Sequence, residues 1–401
     1  MFLTFQYGLL PTRAQHEALE AILESERLLY NAALQERRDA WRLGKHRIGV
    51  RDQRKSLTLI RSDDIGYSGR PVNLSRWTLD AVDRAFKGFF SRCKTGGKVG
   101  FPRFRSKSRW SSFGFAEWSG VRLMLSKSPR NARIQFKGMP GTLRVRLHRP
   151  LPADARLCSC VFTKRDLRWV ISIQIEVPDF IGPHAHADRA VGIDVNILNR
   201  ATLSTGEVID NPRIGKAFAA DLRVAQRAFA RRPNKASRRR AKAVRRLRAV
   251  HRKVANVRKT TLHQVSAKLA RDYGVISREK LQLRNMVRSG KGTVENPGSN
   301  IRQKAGLNRS LQDVAIGTFF LMLAYKAARA GGLIVAVDPR RSSIECSGCH
   351  AMVPKTLKNR VHRCPHCGLT MGRDHNAARN IEFRAQAVVG LGDANVDQIA
   401  A

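Results

Sequence analysis

Hydrophobic positions along the chain change period several times, and each change marks an element. Residues 2–8 read as a short strand. Thr12 and Gln15 then form a capping box, in which two orphan amides are satisfied reciprocally. After it, Leu19, Ile22, Leu23, Tyr30, Ala33 and Leu34 recur at helical spacing. Leu79, Val82, Phe86, Phe89 and Phe90 predict a second helix over 75–92, with Arg76, Arg84 and Lys87 on its other face. Between 113 and 177 the period falls to two. Leu143, Val145 and Leu147 alternate with Arg144, Arg146 and His148, and Trp169, Ile171, Ile173, Ile175 and Val177 alternate with smaller or polar residues. Several short strands with turns between them predict a small antiparallel barrel. Cys158 and Cys160 are expected on one strand face there, as packing. The Pro/Gly/His segment 178–189 reads as a linker and domain boundary.

From 190 the pattern changes again. An apolar strand, AVGID, reaches Asp194, and RATLS with the turn signal Thr205-Gly206 makes it an antiparallel hairpin. A long helical region follows, broken into a pair at Pro233-Asn234 and ended at Gly274. The short strand VIS leads to Glu279. Residues 287–306 are rich in Gly, Ser and Lys and read as a mobile loop. A helix over 310–330 with Ser310 as N-cap, the strand LIVAV (333–337), a cysteine cluster and a helix from Asp374 through Ile381 complete the chain. The last fifteen or so residues read as a frayed tail.

Charge changes the picture most. The 401 residues carry 75 Lys plus Arg against 31 Asp plus Glu, a formal net charge of +44. Self-repulsion on that scale disfavours the compact free protein, and a polyanion relieves it by phosphate neutralisation and counterion release. Nucleic acid is the expected partner. From Lys216 to Lys259 there are seventeen cations and one acid, Asp221. In TGGKVGFPRFRSKSRW (95–110), aromatics interleave with cations, a mixture that suits phosphates and unstacked bases together. No apolar run nears the roughly 18 residues that span a membrane, and MFLTFQYGLLPTR lacks the features of a signal peptide. The expectation is a soluble, cytoplasmic protein.

Four of the seven cysteines lie in two CxxC pairs, Cys346/Cys349 and Cys364/Cys367. Two such turns close a tetrahedral shell of thiolates around one Zn2+ and leave no open position for catalysis, so the site is structural. His350, His362 and His366 lie near as alternative ligands.

Three acids stand at the ends of apolar elements: Asp194, Glu279 and Asp374. Each has a plain structural alternative, as a strand terminator, a surface acid beside Lys280 and an N-cap respectively. Their order carries more weight: a strand-borne Asp, an antiparallel neighbour, a Glu at a later strand end and a helix-borne Asp is a ribonuclease-H-like plan. Such carboxylates hold two Mg2+ ions for phosphodiester hydrolysis.

The stretches GIDVNILNRATLSTGEVI (192–209), ISREKLQLRNM (276–286) and GRDHNAARNI (372–381) resemble the three RuvC motifs of the TnpB family. The cysteine knuckles before the third match that family's zinc insertion. GFPRFRSKSR (100–109) and residues 9–37 resemble its N-terminal half. Two departures are Gly372, where the family often has an acid, and His350, where it usually has glycine.

The resemblance implies an α/β multi-domain chain. Residues 1–8 and 113–185 would form a wedge-like β-barrel, with a helical recognition domain (12–110) inserted. Residues 188–338 and 368–385 would form an RNase H-like (RuvC) nuclease, with a zinc module (339–367) inserted and a flexible tail at 386–401. It implies a guide RNA derived from the element end, double-stranded target DNA cut beside a short motif, and an accompanying transposase encoded by the same element. Asp194, Glu279 and Asp374 would be catalytic and hold Mg2+. Arg76 is the candidate motif reader, since arginine reads base edges. Arg103, Arg105, Lys107 and Arg373 are candidate nucleic-acid contacts. The rivals are a nuclease-inactive RNA-guided repressor and a strand-transferring transposase. The common transposase order of acids is Asp, Asp, Glu; here it is Asp, Glu, Asp.

Overall fold

The computed structural model describes residues 1–97, 99–126, 130–166, 168–179, 182–234, 236–356 and 359–390. The chain divides into two compact units, Met1–Asp179 and Phe180–Ala401. The division falls inside the expected linker. His184 is buried and belongs to the second unit, where Nε2 meets the Ala270 carbonyl at 3.0 Å and Nδ1 accepts from the His186 amide at 2.9 Å.

In the first unit, β1 (Phe2–Leu10) is followed by α1 (Arg13–Gly44), α2 (Val50–Asp63), the single turn α3 (Ile65–Ser68) and α4 (Val72–Lys94). Six strands come next: β2 (Ser112–Phe115), β3 (Val121–Leu125), β4 (Asn131–Phe136), β5 (Leu143–Arg146), β6 (Arg156–Arg165) and β7 (Arg168–Glu176). The expected capping box is present, with Thr12 and Gln15 bonding each other's backbone amides. All seven strands form one sheet in the order β2-β6-β7-β1-β5-β4-β3. It curls on itself: Phe136 of β4 meets Phe115 of β2 and Phe162 of β6, at ring centroids 5.4 and 5.5 Å apart. The alternating residues Ile171, Ile173 and Ile175 fill the enclosed core. Cys160 sits in that core, but Cys158 does not share its face. A register shift between Leu157 and Ser159 takes Cys158 out of the alternation, as a bulge does.

In the second unit, β8 (Ala190–Val195), β9 (Ala201–Leu203) and β10 (Val208–Ile209) form an antiparallel meander. Three helices follow: α5 (Ile214–Ala217), α6 (Ala219–Ala230) and α7 (Arg238–Asp272). Then come β11 (Val275–Glu279), α8 (Leu283–Met286), α9 (Ile301–Val314), α10 (Ile316–Arg329) and β12 (Leu333–Val337). A small hairpin of β13 (Val361–Arg363) and β14 (Thr370–Gly372) leads into α11 (Arg373–Gly390). The main sheet runs β10-β9-β8-β11-β12, with β11 parallel to both neighbours.

Its two faces are separated by strand alternation. Val191, Ile193 and Ile276 pack with Leu262 and Leu269 of α7 and Phe319 and Leu323 of α10. Val335 and Val337 face the other way, onto Ile381 and Ala385 of α11. Each large apolar side chain buried this way contributes roughly 1.5–3 kcal/mol.

Four expectations are corrected here. The helix expected over 310–330 is two helices, broken at Ala315 in the left-handed region (φ 56°). Ser310 is no N-cap; it lies inside α9, and its hydroxyl bonds the Gly306 carbonyl at 3.2 Å. Accordingly, 301–306 of the expected mobile loop is helical. Residues 386–390, expected in the tail, continue α11, whereas 391–401 lie outside the described residues.

Candidate active site

Alternation along β8 decides where its acid points. Val191 and Ile193 face α7 and α10, so Gly192 and Asp194 face α11. Along β11, Ile276 takes the α7/α10 face and the Arg278 guanidinium lies 4.8 Å from the Phe320 ring of α10. Glu279 therefore faces α11 too. In the parallel register Ile193 pairs with Arg278, so Asp194 and Glu279 are the next positions on adjacent strands, roughly 4.8 Å apart in backbone. Asp374 is the second residue of α11, the helix packed on that face. It is not the N-cap; it accepts a hydrogen bond from Asn196 Nδ2 at 3.1 Å.

The electrostatics record this convergence. Burial first, then the negative charges of Glu279 and Asp374, push Asp194 up to about 8, opposed by Arg373. Glu279 is also raised, by burial, against a hydrogen bond from Ser342 and the charge of Arg384. A carboxylate group this short of counter-charge favours a cation. Hard oxygen donors without sulfur or imidazole suit Mg2+. The three side chains therefore fit a magnesium site on their chemistry.

Two residues that pattern alone did not mark hold the acids. Ser342 Oγ lies 2.6 Å from Glu279 Oε1. Asn196 steadies Asp374 while its own Oδ1 accepts from the Asn199 amide at 2.8 Å. They lie 63 and 178 residues from their partners, so no local signal announces them.

The four cysteines gather with all Sγ atoms within 4.8 Å of one another, a geometry compatible with zinc. The two knuckles are alike. In each, the residue after the second cysteine bonds back to the first cysteine's carbonyl, His350 at 2.9 Å and Gly368 at 3.0 Å, with positive φ (59° and 74°). Of the alternative histidine ligands, His350 Nδ1 meets Glu345 and His362 Nδ1 meets Lys355. The cysteine module is fastened to α11. Asn376 accepts from the Ser347 amide at 2.9 Å and donates to the Glu345 carbonyl at 2.7 Å. Asn380 donates to the Ser342 and Glu345 carbonyls at 2.9 and 2.8 Å. One helix thus carries Asp374 at its start and grips the cysteine loop through Asn376 and Asn380, two and six residues later.

The remaining candidates are placed differently. Arg373 bridges the Thr356 carbonyl and the Ser343 hydroxyl at 3.3 and 3.4 Å, so it ties the cysteine module to the acid cluster. Arg76 is exposed on α4, with Asn73 its partner at 3.4 Å. Arg103, Arg105 and Lys107 are exposed on the loop after α4. The backbone of Arg105 is pinned to α1 by Arg27 and Asn31 at 2.8–3.0 Å.

Against known proteins, the chain is 32% identical over 317 residues to InsQ of Escherichia coli strain K12, covering 79% of this chain and 75% of the relative. It is 30% identical over 393 residues to a protein of Streptomyces pristinaespiralis, covering 97% and 90%. Both relatives are named as RNA-guided DNA endonucleases. The chain belongs to the TnpB family. Family models agree piecewise: "Cas12f1-like, TNB domain" matches 317–381, "Probable transposase" matches 171–290 and "Helix-turn-helix domain" matches 1–46. Residues 13–44 of that last region are one uninterrupted helix. Among solved structures, a Cas12f1–sgRNA–target DNA complex aligns with TM-score 0.60 at 14% identity, covering 92% of this chain and 83% of that one. The mini-RNA-guided endonuclease CRISPR-Cas_phi3 aligns with TM-score 0.54 at 8% identity, covering 96% and 92%. The fold is thus the mixed α/β, multi-domain one of Cas12 effectors, and this chain adds a four-cysteine cluster fastened to α11.

Proposed function

We propose that this chain is an RNA-guided DNA endonuclease of the TnpB type, cutting both strands of a target beside a short element-associated motif through one RuvC-like site. The observation that carries the reading is the meeting of Asp194, Glu279 and Asp374 on the α11 face of the β10-β9-β8-β11-β12 sheet. Membership of a family whose relatives bear that name supports it. Residues 188–338 and 368–385 act as the RNase H-like nuclease, and 339–367 as its zinc module. Residues 1–8 and 113–185 act as the wedge, and 12–110 as the recognition domain. The cytoplasm of a bacterium or archaeon is the expected setting.

Guide RNA is held through phosphates by the cationic helices, α7 above all, and pairing between guide and target reads most of the sequence. Arg76 reads the motif, and Arg103, Arg105 and Lys107 hold backbone phosphates. Asp194, Glu279 and Asp374 are the ligands for two Mg2+ ions. When bound, such ions activate a water and stabilise the leaving oxygen. Ser342 and Asn196 fix the rotamers of Glu279 and Asp374, and Arg373 holds a phosphate near the acids. The four cysteines hold one Zn2+, which stiffens the loop gripping α11.

The test is plasmid cleavage by the purified protein with its co-purifying RNA. Cutting should require Mg2+ and vanish in Asp194→Ala, while RNA and target binding persist. Normal cutting by that variant would sink the assignment. Binding without cutting by the parent would favour the repressor, and a joined-strand product the transposase.

A further inference from the structure

From Arg84 to Ala116 the sequence carries nine Lys or Arg and no acid. The end of α4 and the loop after it also carry three exposed phenylalanines. Phe90, Phe101 and Phe104 are 48%, 46% and 43% exposed. Phe101 sets its ring edge-on to Phe86 at 5.6 Å and Phe89 at 5.3 Å, and Phe90 packs beside Phe89 at 5.2 Å. The Arg38 guanidinium lies 5.8 Å from the Phe104 ring centre. The surface is preformed. Arg92 holds the Gly100 carbonyl at 3.0 Å, and Asn31 clasps the Arg105 backbone from both sides.

Three large rings left half in water among cations, with Asp83 of α4 already paired to Arg37 and Lys87, are costly to the free protein unless something flat and anionic covers them. A nucleotide strand offers both: each base has a π-face, and each phosphate a charge. A duplex keeps its bases stacked on one another. An apolar protein partner would leave the surrounding cations without counter-charge.

We propose that Phe90, Phe101 and Phe104 form a stacking platform for unpaired nucleotides, with Arg103 and its neighbours on the phosphates. Because stacking ignores base identity, the platform is sequence-tolerant and serves a strand held single during target opening. This deepens the nucleic-acid reading above but does not depend on the three acids.

The test uses the full Asp194→Ala chain with its co-purifying RNA, so loss of cutting has no bearing on it. The probe is a short thymine-rich single strand carrying one 5-iodouracil, offered as DNA in one arm and RNA in the other. Light should crosslink it to the peptide bearing Phe90 or the one bearing Phe101 and Phe104, located by mass spectrometry. Phe104→Leu and Phe90→Leu should each lower that crosslink about tenfold, the effect of losing one base–aromatic stack. They should leave the salt dependence of binding unchanged, whereas Arg103→Ala should reduce the slope by about 0.7. A crosslink in the DNA arm, alone or with the RNA arm, supports a strand freed during target opening, and one in the RNA arm alone overturns that occupant. Crosslinks confined to other segments overturn the proposal, as do leucine variants with parental yield. Should a leucine variant melt early, Phe104→Trp decides: it must crosslink at least as well as the parent, and a loss there overturns the proposal too.

Discussion

A Cβ atom on Gly192 would stand 2.0 Å from the carbonyl oxygen of Ala378 and 2.8 Å from the amide nitrogen of Glu382. Strand β8 and helix α11 therefore touch backbone to backbone, two residues before Asp194 and four after Asp374. Real Cβ atoms do not approach a carbonyl so closely. The separation between two proposed catalytic acids is set by the absence of one methyl group.

Gly192→Ala should accordingly impair cleavage without removing any acid. The added methyl has to displace α11, an overpacking cost of about 1–3 kcal/mol. A shift of Asp374 by about an ångström should lower single-turnover cleavage about 100-fold. Guide RNA binding and zinc content should stay normal. A Gly192→Ala protein cutting at the parental rate would show that the acids need not be held so tightly.

The Ser342 hydroxyl donates to Glu279 at 2.6 Å. Ser342→Ala should free that carboxylate to rotate, raising the Mg2+ concentration needed for half-maximal cutting several-fold. Ser342→Thr, which keeps the hydroxyl, should restore it. Mn2+ titration followed by electron paramagnetic resonance gives a readout apart from turnover, and equal affinities in parent and alanine variant would exclude the role.

Removing the zinc should reach the acids through α11. Asn376 and Asn380 bind the loop that carries Cys346, and Arg384 pairs with Glu345 at 2.5 Å. Cys346→Ser, or a strong chelator, should therefore release the start of α11 as well as unfold the module, because ion binding and local folding are one equilibrium. Cleavage should fall at least about 100-fold while RNA binding changes little. Metal analysis of the parent should return one zinc per chain, and a zinc-free protein that cuts normally would refute the coupling.

How far the sequence reveals the site follows from which interactions are local. Period-two alternation in AVGID and VIS orients Asp194 and Glu279, and those strands pair as their patterns require. The break at Ala315 had no such signal. Nothing around it is Pro, and a helical pattern runs on through it. It is made by distant groups: Arg200, almost wholly buried, donates to the Val314 carbonyl at 2.9 Å, and Arg258 and the Gly215 amide hold Asp313. These side chains end α9 from outside, as a C-cap would from within. The bulge at Cys158 escaped for the same reason, since register belongs to the strand pair.

Glu26 gives the molecule a pH response away from the acids. It is fully buried between α1 and α4, where Ser75 Oγ and Thr78 Oγ1 donate to it at 3.1 and 2.6 Å. Burial, opposed by those two bonds and more weakly by Arg70 and Arg61, raises it from 4.5 to about 7. Between those values the folded chain keeps a proton that the unfolded chain has released. This group therefore costs nothing below about pH 4.5, and its penalty grows as pH rises, reaching roughly 3 kcal/mol above pH 7. Glu26→Gln stays neutral and can keep both hydroxyls bonded, because one of them can turn to accept from the amide. The variant should melt higher than the parent at pH 8 and much like it at pH 5. Thermal unfolding at the two values checks this, and an equal gain at both would place the cost of Glu26 in packing instead of charge.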